Sequence, residues 1–206
     1  MSPITGLLLA AGQSRRFGAD KLRQRLPDGT AVAVASCRAL LSGVGAVFAV
    51  VRPDQDRLAA ALRAEGARVS VCAAADEGIG ASLAFGVRST GDADGWVVAL
   101  ADMPWVRAET IRRIASELAC GADCVAPCYR GRRGHPVGFS RNVGPELERL
   151  GGDEGARSIL TRRPDRLQRI EVDDPGVLLD IDTPNDLPAL PAASRGRTTE
   201  QLPDCP

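Results

Sequence analysis

Short, continuous apolar runs separated by helix-length segments constrain the fold of this chain more than any other feature. The first run, residues 4–9, does not alternate apolar and polar residues, and residues 46–51 and 95–100 have the same character. A strand buried on both faces of a parallel sheet has this pattern, whereas a strand with one solvated face alternates. The sequence therefore predicts an α/β domain with a mostly parallel sheet and helices on both faces.

The predicted elements fill the chain as far as about residue 190. Further strands are expected at 68–72, 124–126, 136–139, 167–172 and 177–181, and helices at 31–42, 54–64, 80–89, 107–119, 147–150 and 156–160. Residues 1–190 therefore form one predicted domain. Residues 191–206 are rich in Pro, Ser, Thr and Arg without an apolar period, which predicts a flexible C-terminal tail.

Charge and hydropathy exclude several functional classes. The 206 residues include 26 basic and 26 acidic side chains, and this balance argues against a chain that coats nucleic acid. The longest apolar run near the N-terminus, residues 7–11, is far shorter than the ~20 residues that cross a bilayer, and no basic flank precedes it as in a signal peptide. We therefore expect a cytoplasmic protein with a small-molecule partner, no nucleic-acid partner and no membrane association.

The turn after the first strand carries the strongest chemical signal. Glycines and alanines there let backbone N–H groups approach a polyphosphate, Ser14 adds a hydroxyl donor, and Arg15 and Lys21 add positive charge. Lys21 is the single lysine among the 26 basic residues. The turn matches neither the Walker loop nor G-x-G-x-x-G, so a surface turn is the alternative. Its sequence is Leu9-Ala10-Ala11-Gly12-Gln13-Ser14-Arg15-Arg16-Phe17-Gly18-Ala19-Asp20-Lys21.

Carboxylates follow or close two of the predicted strands. Asp102 comes just after the strand at 95–100, and Asp180 and Asp182 lie at the end of the predicted last strand. Ligands of open parallel sheets bind beyond the carboxyl ends of the strands, and Mg²⁺ takes one or two carboxylates with phosphate oxygens and water. Asp102 and Asp182 are therefore candidate Mg²⁺ ligands. The alternatives are that Asp102 caps the next helix and that a capping box at Thr183 starts another.

Three further polar loops are candidates for substrate contact. Residues 78–82 follow a strand and open a helix, so their N–H groups can bind an anion or read a base edge. Residues 130–136 hold three arginines and the only histidine, which can clamp a second phosphate-bearing molecule. Residues 152–157 form another polar, glycine-rich helix start. A solvated turn or a helix start without a ligand is the alternative for each loop.

Six motifs, in order along the chain, resemble the nucleotidyltransferases of the molybdenum-cofactor family, in particular the molybdenum cofactor cytidylyltransferases. The resemblance covers about residues 4–188. It implies a Rossmann-like fold and a reaction that joins a nucleoside triphosphate to the phosphate of an acceptor, releasing pyrophosphate with Mg²⁺. The motifs are Leu9-Ala10-Ala11-Gly12-x-Ser14-x-Arg16-x-Gly18-x-x-Lys21, Gly78-x-Gly80-x-Ser82-Leu83, Leu100-x-Asp102-Met103-Pro104, Gly134-His135-Pro136, Gly152-Asp153-x-Gly155-Ala156-Arg157 and Asp180-Ile181-Asp182-Thr183-Pro184.

The resemblance also implies roles for individual residues. Lys21 and an arginine of the Arg15-Arg16 pair would hold phosphates, with Lys21, Arg15, Arg16 and Asp102 as the catalytic set. Asp102 and Asp182 would hold Mg²⁺. The candidate nucleotide-binding residues are Leu9, Ala10, Ala11, Gly12, Ser14, Gly80 and Ser82, and the candidate acceptor-binding residues are Arg133, His135 and Arg157.

The form of the first loop favours one nucleotide. Ala10-Ala11-Gly12 is similar to the cytidylyl branch, whereas the guanylyl branch tends to have a second glycine there. CTP is thus the expected donor, molybdopterin the expected acceptor, and molybdopterin cytosine dinucleotide, destined for a molybdoenzyme, the expected product. The alternatives are a related transferase that uses GTP or another phosphorylated acceptor, and a non-catalytic protein that delivers nucleotide or cofactor. A dehydrogenase is disfavoured because no complete G-x-G-x-x-G follows a strand.

Overall fold

An eight-stranded sheet organises the computed structural model, which describes residues 4–12 and 20–187. The predicted tail lies outside the described residues. Along the sheet the strand order is β3-β2-β1-β4-β7-β5-β6, with β8 beside β5. The strands are β1 (Ile4–Leu9), β2 (Val47–Val51), β3 (Arg68–Val71), β4 (Gly95–Leu100), β5 (Cys124–Tyr129), β6 (Arg132–Arg133), β7 (Val137–Ser140) and β8 (Leu167–Glu171).

Six helices cover the two faces of the sheet in the described part of the chain. Helices α1 (Val32–Val44), α2 (Asp56–Ala64) and α4 (Ala108–Ala119) pack in one core layer. Helices α3 (Ile79–Arg88), α5 (Gly144–Leu147) and α6 (Arg157–Arg162) pack in the other. The predicted α/β domain with helices on both faces is confirmed. None of the helices in the described ranges has the length and hydropathy of a membrane span.

Strand β1 shows why the apolar runs are continuous. Leu7 and Leu9 pack in the core layer of α3, and Leu8, between them, packs in the layer of α1. Neighbouring side chains of a strand point to opposite faces, so a strand covered on both sides needs an apolar residue at every position. All three leucines are buried.

Beyond β4 the sheet includes antiparallel strands, because a tight turn reverses the chain between β5 and β6. Arg130 and Gly131 have φ values of 51° and 75°, the left-handed backbone that a two-residue hairpin turn requires. The returning chain forms β7, which inserts antiparallel between β4 and β5. The pairs of β1 with β2 and β4, of β2 with β3, and of β5 with β8 are parallel.

Three predicted elements were wrong or displaced. The segment at 177–181 is not a strand. Its first two residues belong to a 3₁₀ turn at Pro175–Leu178, in which Gly176 packs directly against the Trp105 carbonyl. The helix predicted at 147–150 lies earlier, at Gly144–Leu147, with a proline in its first turn. The helix predicted at 54–64 begins only at Asp56, and the Asp54 carboxylate pairs with the Arg52 guanidinium instead of capping the helix.

A segment that we call the strap, residues 173–182, connects the far end of the sheet to the carboxyl ends of β1 and β4. Asp174 is buried, and its Oδ2 accepts hydrogen bonds from Arg107 N at 2.9 Å and Thr110 Oγ1 at 2.7 Å. Its Oδ1 accepts a bond from Gly176 N at 3.0 Å. Helix α4 is thus capped by a residue distant in sequence, since its own N-cap residue, Arg107, offers no side-chain acceptor.

We expect Asp174→Ala to lower the free energy of unfolding by about 2–4 kcal/mol, because buried donors lose their only charged acceptor. Urea denaturation followed by circular dichroism measures the change. Asp173→Ala is the matched control, because the Asp173 side chain is exposed, and its effect should stay within about 0.5 kcal/mol. Equal stabilities of the two variants would contradict the capping role of Asp174.

Candidate active site

The candidate site lies where β1 and β4 end side by side. Leu9 is the register partner of Leu100 in this parallel pair, and the chain continues from β1 toward β2 on one side and from β4 toward β5 on the other. Such a switch point opens a crevice at the carboxyl edge of the sheet. A first cavity of about 440 Å³ lies here, lined by Leu9, Ala11, Gly12, Lys21, Leu22, Ala75, Asp76, Glu77, Gly78, Ile79, Ser82, Leu100, Asp102 and Asp153.

One ammonium group joins two carboxylates at the first cavity. Lys21 Nζ lies 2.8 Å from Asp102 Oδ2 and 3.2 Å from Asp182 Oδ1. The Lys21 side chain is 12% exposed and that of Asp102 is 20% exposed, so the pair is largely screened from solvent. The structure therefore brings together three residues that lie far apart in the sequence, as the predicted site requires.

Backbone contacts hold Asp102 and Asp182 in place. Ala101 N donates to Leu9 O at 3.1 Å, and Ile181 N donates to Asp102 O at 2.9 Å, so the strap is fastened to the loop after β4. The predicted capping box is present after Asp182. Asp186 Oδ2 accepts bonds from the N–H groups of residues 182 and 183.

The charge of the cluster follows from its surroundings. Burial alone would lower the pKa of Lys21, but hydrogen bonds to Asp102 and Asp182 and the charges of these carboxylates together raise it above its ordinary value. Lys21 is therefore a cation at neutral pH. It is the one lysine of the chain, and its charge lies between two acids at the cavity wall.

The carboxylates have the chemistry that a divalent ion needs. Asp102 Oδ1 is a buried oxygen without a hydrogen-bond partner in the described residues, so it can accept a cation. No cluster of three or more His, Cys, Asp or Glu side chains suited to a metal occurs in ranges 4–12 and 20–187. Mg²⁺ does not require one, since one or two carboxylates suffice when phosphate oxygens and water complete its shell.

A second cavity of about 270 Å³ adjoins the first and shares Leu9, Ile79 and Leu100 with it. The structure brings the three predicted acceptor-binding residues together here, although they come from β6, the following loop and α6. The remaining wall is mostly apolar. Its other lining residues are Leu83, Val98, Val137, Phe139, Gly155, Ala156 and Leu160, beside Arg133, His135 and Arg157.

Residues 6–168 match the family model described as the MobA-like NTP transferase domain. The chain belongs to this family. MobA-like NTP transferases are nucleotidyltransferases, so the chain is a member of a nucleotidyltransferase family.

Two relatives align with most of the chain. The chain is 33% identical over 199 residues to the purine catabolism protein PucB of Bacillus subtilis, covering 89% of this chain and 93% of PucB. It is 28% identical over 190 residues to nicotine blue oxidoreductase of Paenarthrobacter nicotinovorans, covering 87% of this chain and 92% of the relative. These two names denote different activities, so the comparison supports the family and not one substrate.

Solved structures agree with the fold and include one with a metal. Rv0371c from Mycobacterium tuberculosis H37Rv has a TM-score of 0.77 and 32% identity, and the match covers 90% of this chain and 95% of that one. A structure of Rv0371c in complex with manganese has a TM-score of 0.73 and 30% identity, covering 90% of this chain and 96% of that one.

His135, at the second cavity of this MobA-like domain, is surrounded by protein but keeps an accessible surface. The surrounding protein lowers the pKa of His135, the positive charge of Arg133 lowers it further, and Asp102 opposes both effects. His135 is therefore neutral at pH 7. Its backbone N–H donates to Val177 O at 2.9 Å, which ties this wall of the cavity to the strap.

Gly80, in the first turn of α3, has a packing role in the described structure. Gly80 N donates to Gly152 O at 2.9 Å, and a Cβ at Gly80 would lie 2.6 Å from Glu154 O and 2.7 Å from Gly151 O. The Gly80 N–H group, predicted to contact a nucleotide, is thus already bonded to protein, and its nucleotide-binding role stays a prediction. Ser82 does line the first cavity.

Sequence reasoning located some residues of the site and missed others. Ser14, Arg15 and Arg16 lie outside the described residues, so their roles stay predictions. The sequence analysis did not single out Ser36. The buried Ser36 Oγ donates a hydrogen bond to Ala101 O at 2.9 Å and so supports the loop that carries Asp102. The signal available was a hydroxyl-bearing residue among the apolar residues on the buried face of α1.

We expect Gly80→Ala and Gly12→Ala to separate packing from ligand binding. Gly80→Ala should lower the free energy of unfolding on the order of 1–3 kcal/mol, because the methyl group meets backbone of residues 151–154. No atom of the described residues lies within 4 Å of a Cβ placed at Gly12, so Gly12→Ala should change stability by less than about 0.5 kcal/mol, while its methyl group at the cavity wall weakens nucleotide binding. Thermal unfolding and calorimetric titration measure the two effects, and a destabilised Gly12→Ala would contradict this assignment.

Proposed function

We propose that this nucleotidyltransferase transfers CMP from CTP to the phosphate of a molybdopterin-type acceptor with Mg²⁺, forming molybdopterin cytosine dinucleotide and releasing pyrophosphate. The observation that carries the proposal is the cluster of Lys21, Asp102 and Asp182, of which Lys21 and Asp102 line the first of two adjoining cavities. Because the two cavities share lining residues, two substrates bound in them would lie next to each other. The finished dinucleotide would then pass to a molybdoenzyme.

The first cavity suits the donor nucleotide. Lys21 offers a cation to the phosphates, and Ala11 and Gly12 line the wall without bulky side chains, so a triphosphate can approach the backbone closely. The Ala10-Ala11-Gly12 sequence supports CTP over GTP through its similarity to the cytidylyl branch. Arg15 and Arg16 belong to the same loop and would add positive charge to the phosphate site.

The second cavity suits the acceptor. Arg133 and Arg157 can hold its phosphate, because guanidinium groups bind phosphate oxygens in pairs. The apolar wall, which includes Phe139 and Leu160, fits the faces of a flat heteroaromatic ring better than the hydroxyl groups of a sugar. This supports a pterin-type acceptor over a sugar phosphate.

Transfer needs positioning more than acid–base chemistry. An oxygen of the acceptor phosphate attacks the α-phosphorus of CTP in line, the new P–O bond forms, and the bond to the β-phosphate oxygen breaks as pyrophosphate leaves with its electron pair. The attacking phosphate is ionised at neutral pH, so no general base is required. Lys21 stabilises negative charge on the phosphates. Bound at Asp102 and Asp182, Mg²⁺ would neutralise charge on the α-phosphate and on the leaving pyrophosphate.

The test is pyrophosphate release by the purified protein with molybdenum cofactor as acceptor and CTP, GTP, ATP or UTP as donor. We expect pyrophosphate release with CTP. EDTA should abolish the release because the charge on the phosphates loses its counter-ion, and added Mg²⁺ should restore it. Asp102→Asn should reduce the rate about 100-fold or more, while Asp173→Asn, an exposed carboxylate away from the cavities, leaves it unchanged.

Other outcomes would contradict specific parts of the proposal. Release with GTP in place of CTP would contradict the assigned donor, and release only with a sugar phosphate would contradict the assigned acceptor. Tight CTP binding without release from any nucleotide would favour a delivery protein. An Asp102→Asn enzyme with a normal rate would remove Asp102 from the mechanism.

We expect Arg157→Gln to raise the KM for the acceptor about tenfold and leave the KM for CTP unchanged, because Arg157 lines the second cavity and not the first. Arg132→Gln is the matched control, since this arginine is an exposed neighbour of Arg133 that lines neither cavity. Steady-state kinetics with each substrate varied in turn measure the effect. An increase confined to the KM for CTP would contradict the assignment of the two cavities.

A further inference from the structure

The side chain of Lys21 occupies the space between the two carboxylates assigned to the metal. We propose that Lys21 blocks the metal site in the nucleotide-free protein, and that a divalent ion binds there only after a triphosphate has drawn the ammonium away. The inference rests on the proposed function for the identity of the two metal ligands. It adds an order of binding, in which the nucleotide makes the site available to the ion.

The ammonium and a divalent ion compete for the same two carboxylate oxygens. Lys21 Nζ lies 2.8 Å from Asp102 Oδ2 and 3.2 Å from Asp182 Oδ1, so a single ammonium accounts for one oxygen of each carboxylate. An Mg²⁺ ion bound to the same oxygens, at its usual ~2.1 Å, would occupy the same space as the ammonium. The two positive charges would also repel each other strongly in a partly buried site.

The ion alone is poorly equipped to displace Lys21. The ammonium makes two charge-assisted hydrogen bonds, and its side chain is 12% exposed. Lys21 begins a short 3₁₀ turn whose next residue, Leu22, is buried, so the base of the side chain is fixed. An entering ion must lose water and expel a cation that gains no new acceptor in return.

A triphosphate supplies that acceptor. Lys21 lines the first cavity, where phosphate oxygens would lie within reach of its ammonium. When Nζ moves to phosphate, Asp102 and Asp182 face each other without the shared cation, and the unpaired Asp102 Oδ1 adds a further oxygen for a metal. Nucleotide and ion then stabilise each other's binding through one movable group.

The first experiment measures Mn²⁺ affinity without nucleotide, by electron paramagnetic resonance of free Mn²⁺. We expect Lys21→Met to bind Mn²⁺ about tenfold tighter than the unmodified protein or more, because the competing cation is gone. Lys21→Arg, which keeps the charge, should bind as weakly as the unmodified protein. The double variant Lys21→Met/Asp102→Asn should lose the gain, which assigns the bound ion to this site.

Lys21→Met affinity no tighter than that of the unmodified protein would overturn the proposal. Because removing the ammonium leaves two carboxylates close together and can reduce stability, circular dichroism must first show that the variant is folded. A second measurement needs no variant. The chain has one lysine, so ¹⁵N-lysine labelling gives a single side-chain ammonium resonance in the NMR spectrum.

This resonance reports directly on the ammonium. We expect CTP in EDTA to shift it, and Mg²⁺ alone to leave it unchanged at concentrations that saturate the protein when CTP is present. A shift caused by Mg²⁺ alone at those concentrations, or no shift with bound CTP, would overturn the proposal. Neither experiment uses the acceptor or turnover. If Lys21 does not block the metal site, pyrophosphate release can still be observed. If no pyrophosphate is released, the comparison of Mn²⁺ affinities without nucleotide can still be interpreted.

Discussion

The parallel pairing of β1 with β4 is the constraint on which the rest of the structure depends. It sets Leu9 beside Leu100 at the carboxyl edge, and from there the chain continues in opposite directions along the sheet, toward β2 and toward β5. The loop carrying Asp102 is then fixed by hydrogen bonds from Ala101 N to Leu9 O and from Ser36 Oγ to Ala101 O. Both cavities share the ends of these strands, so the position of each cavity depends on one pair of strands.

Electrostatics divides the site into two parts. Around the first cavity, carboxylates outnumber the single described cation, Lys21. Under the proposed function, a triphosphate would therefore need a divalent ion and the arginines of the first loop as further positive charge. The second cavity has the opposite character, with Arg133 and Arg157 on an apolar wall. Under the proposed function, a nucleotide whose charge is balanced by Lys21 and a metal ion and an acceptor that has only anionic charge would each meet a complementary surface.

Much of the fold follows from the sequence, because each apolar run is a strand that must be covered on both faces. Local patterns could not show that 177–181 forms part of a strap, since its conformation depends on Gly176 packing against Trp105, a contact between distant segments. The site was predictable where side chains act, as at Asp102. It was less predictable where backbone acts, because nothing in the sequence shows that the Gly80 N–H group bonds to Gly152.

The strap has a consequence for the order in which the protein is made. Asp182 lies near the end of the described residues. Lys21, in a 3₁₀ turn, and Asp102, in the loop after β4, are synthesised much earlier. A nascent chain that stops before the strap can pair Lys21 with only one of its two carboxylates. It also lacks Asp174, the residue that caps α4. Completion of the site and consolidation of one core layer thus coincide when the strap has been synthesised.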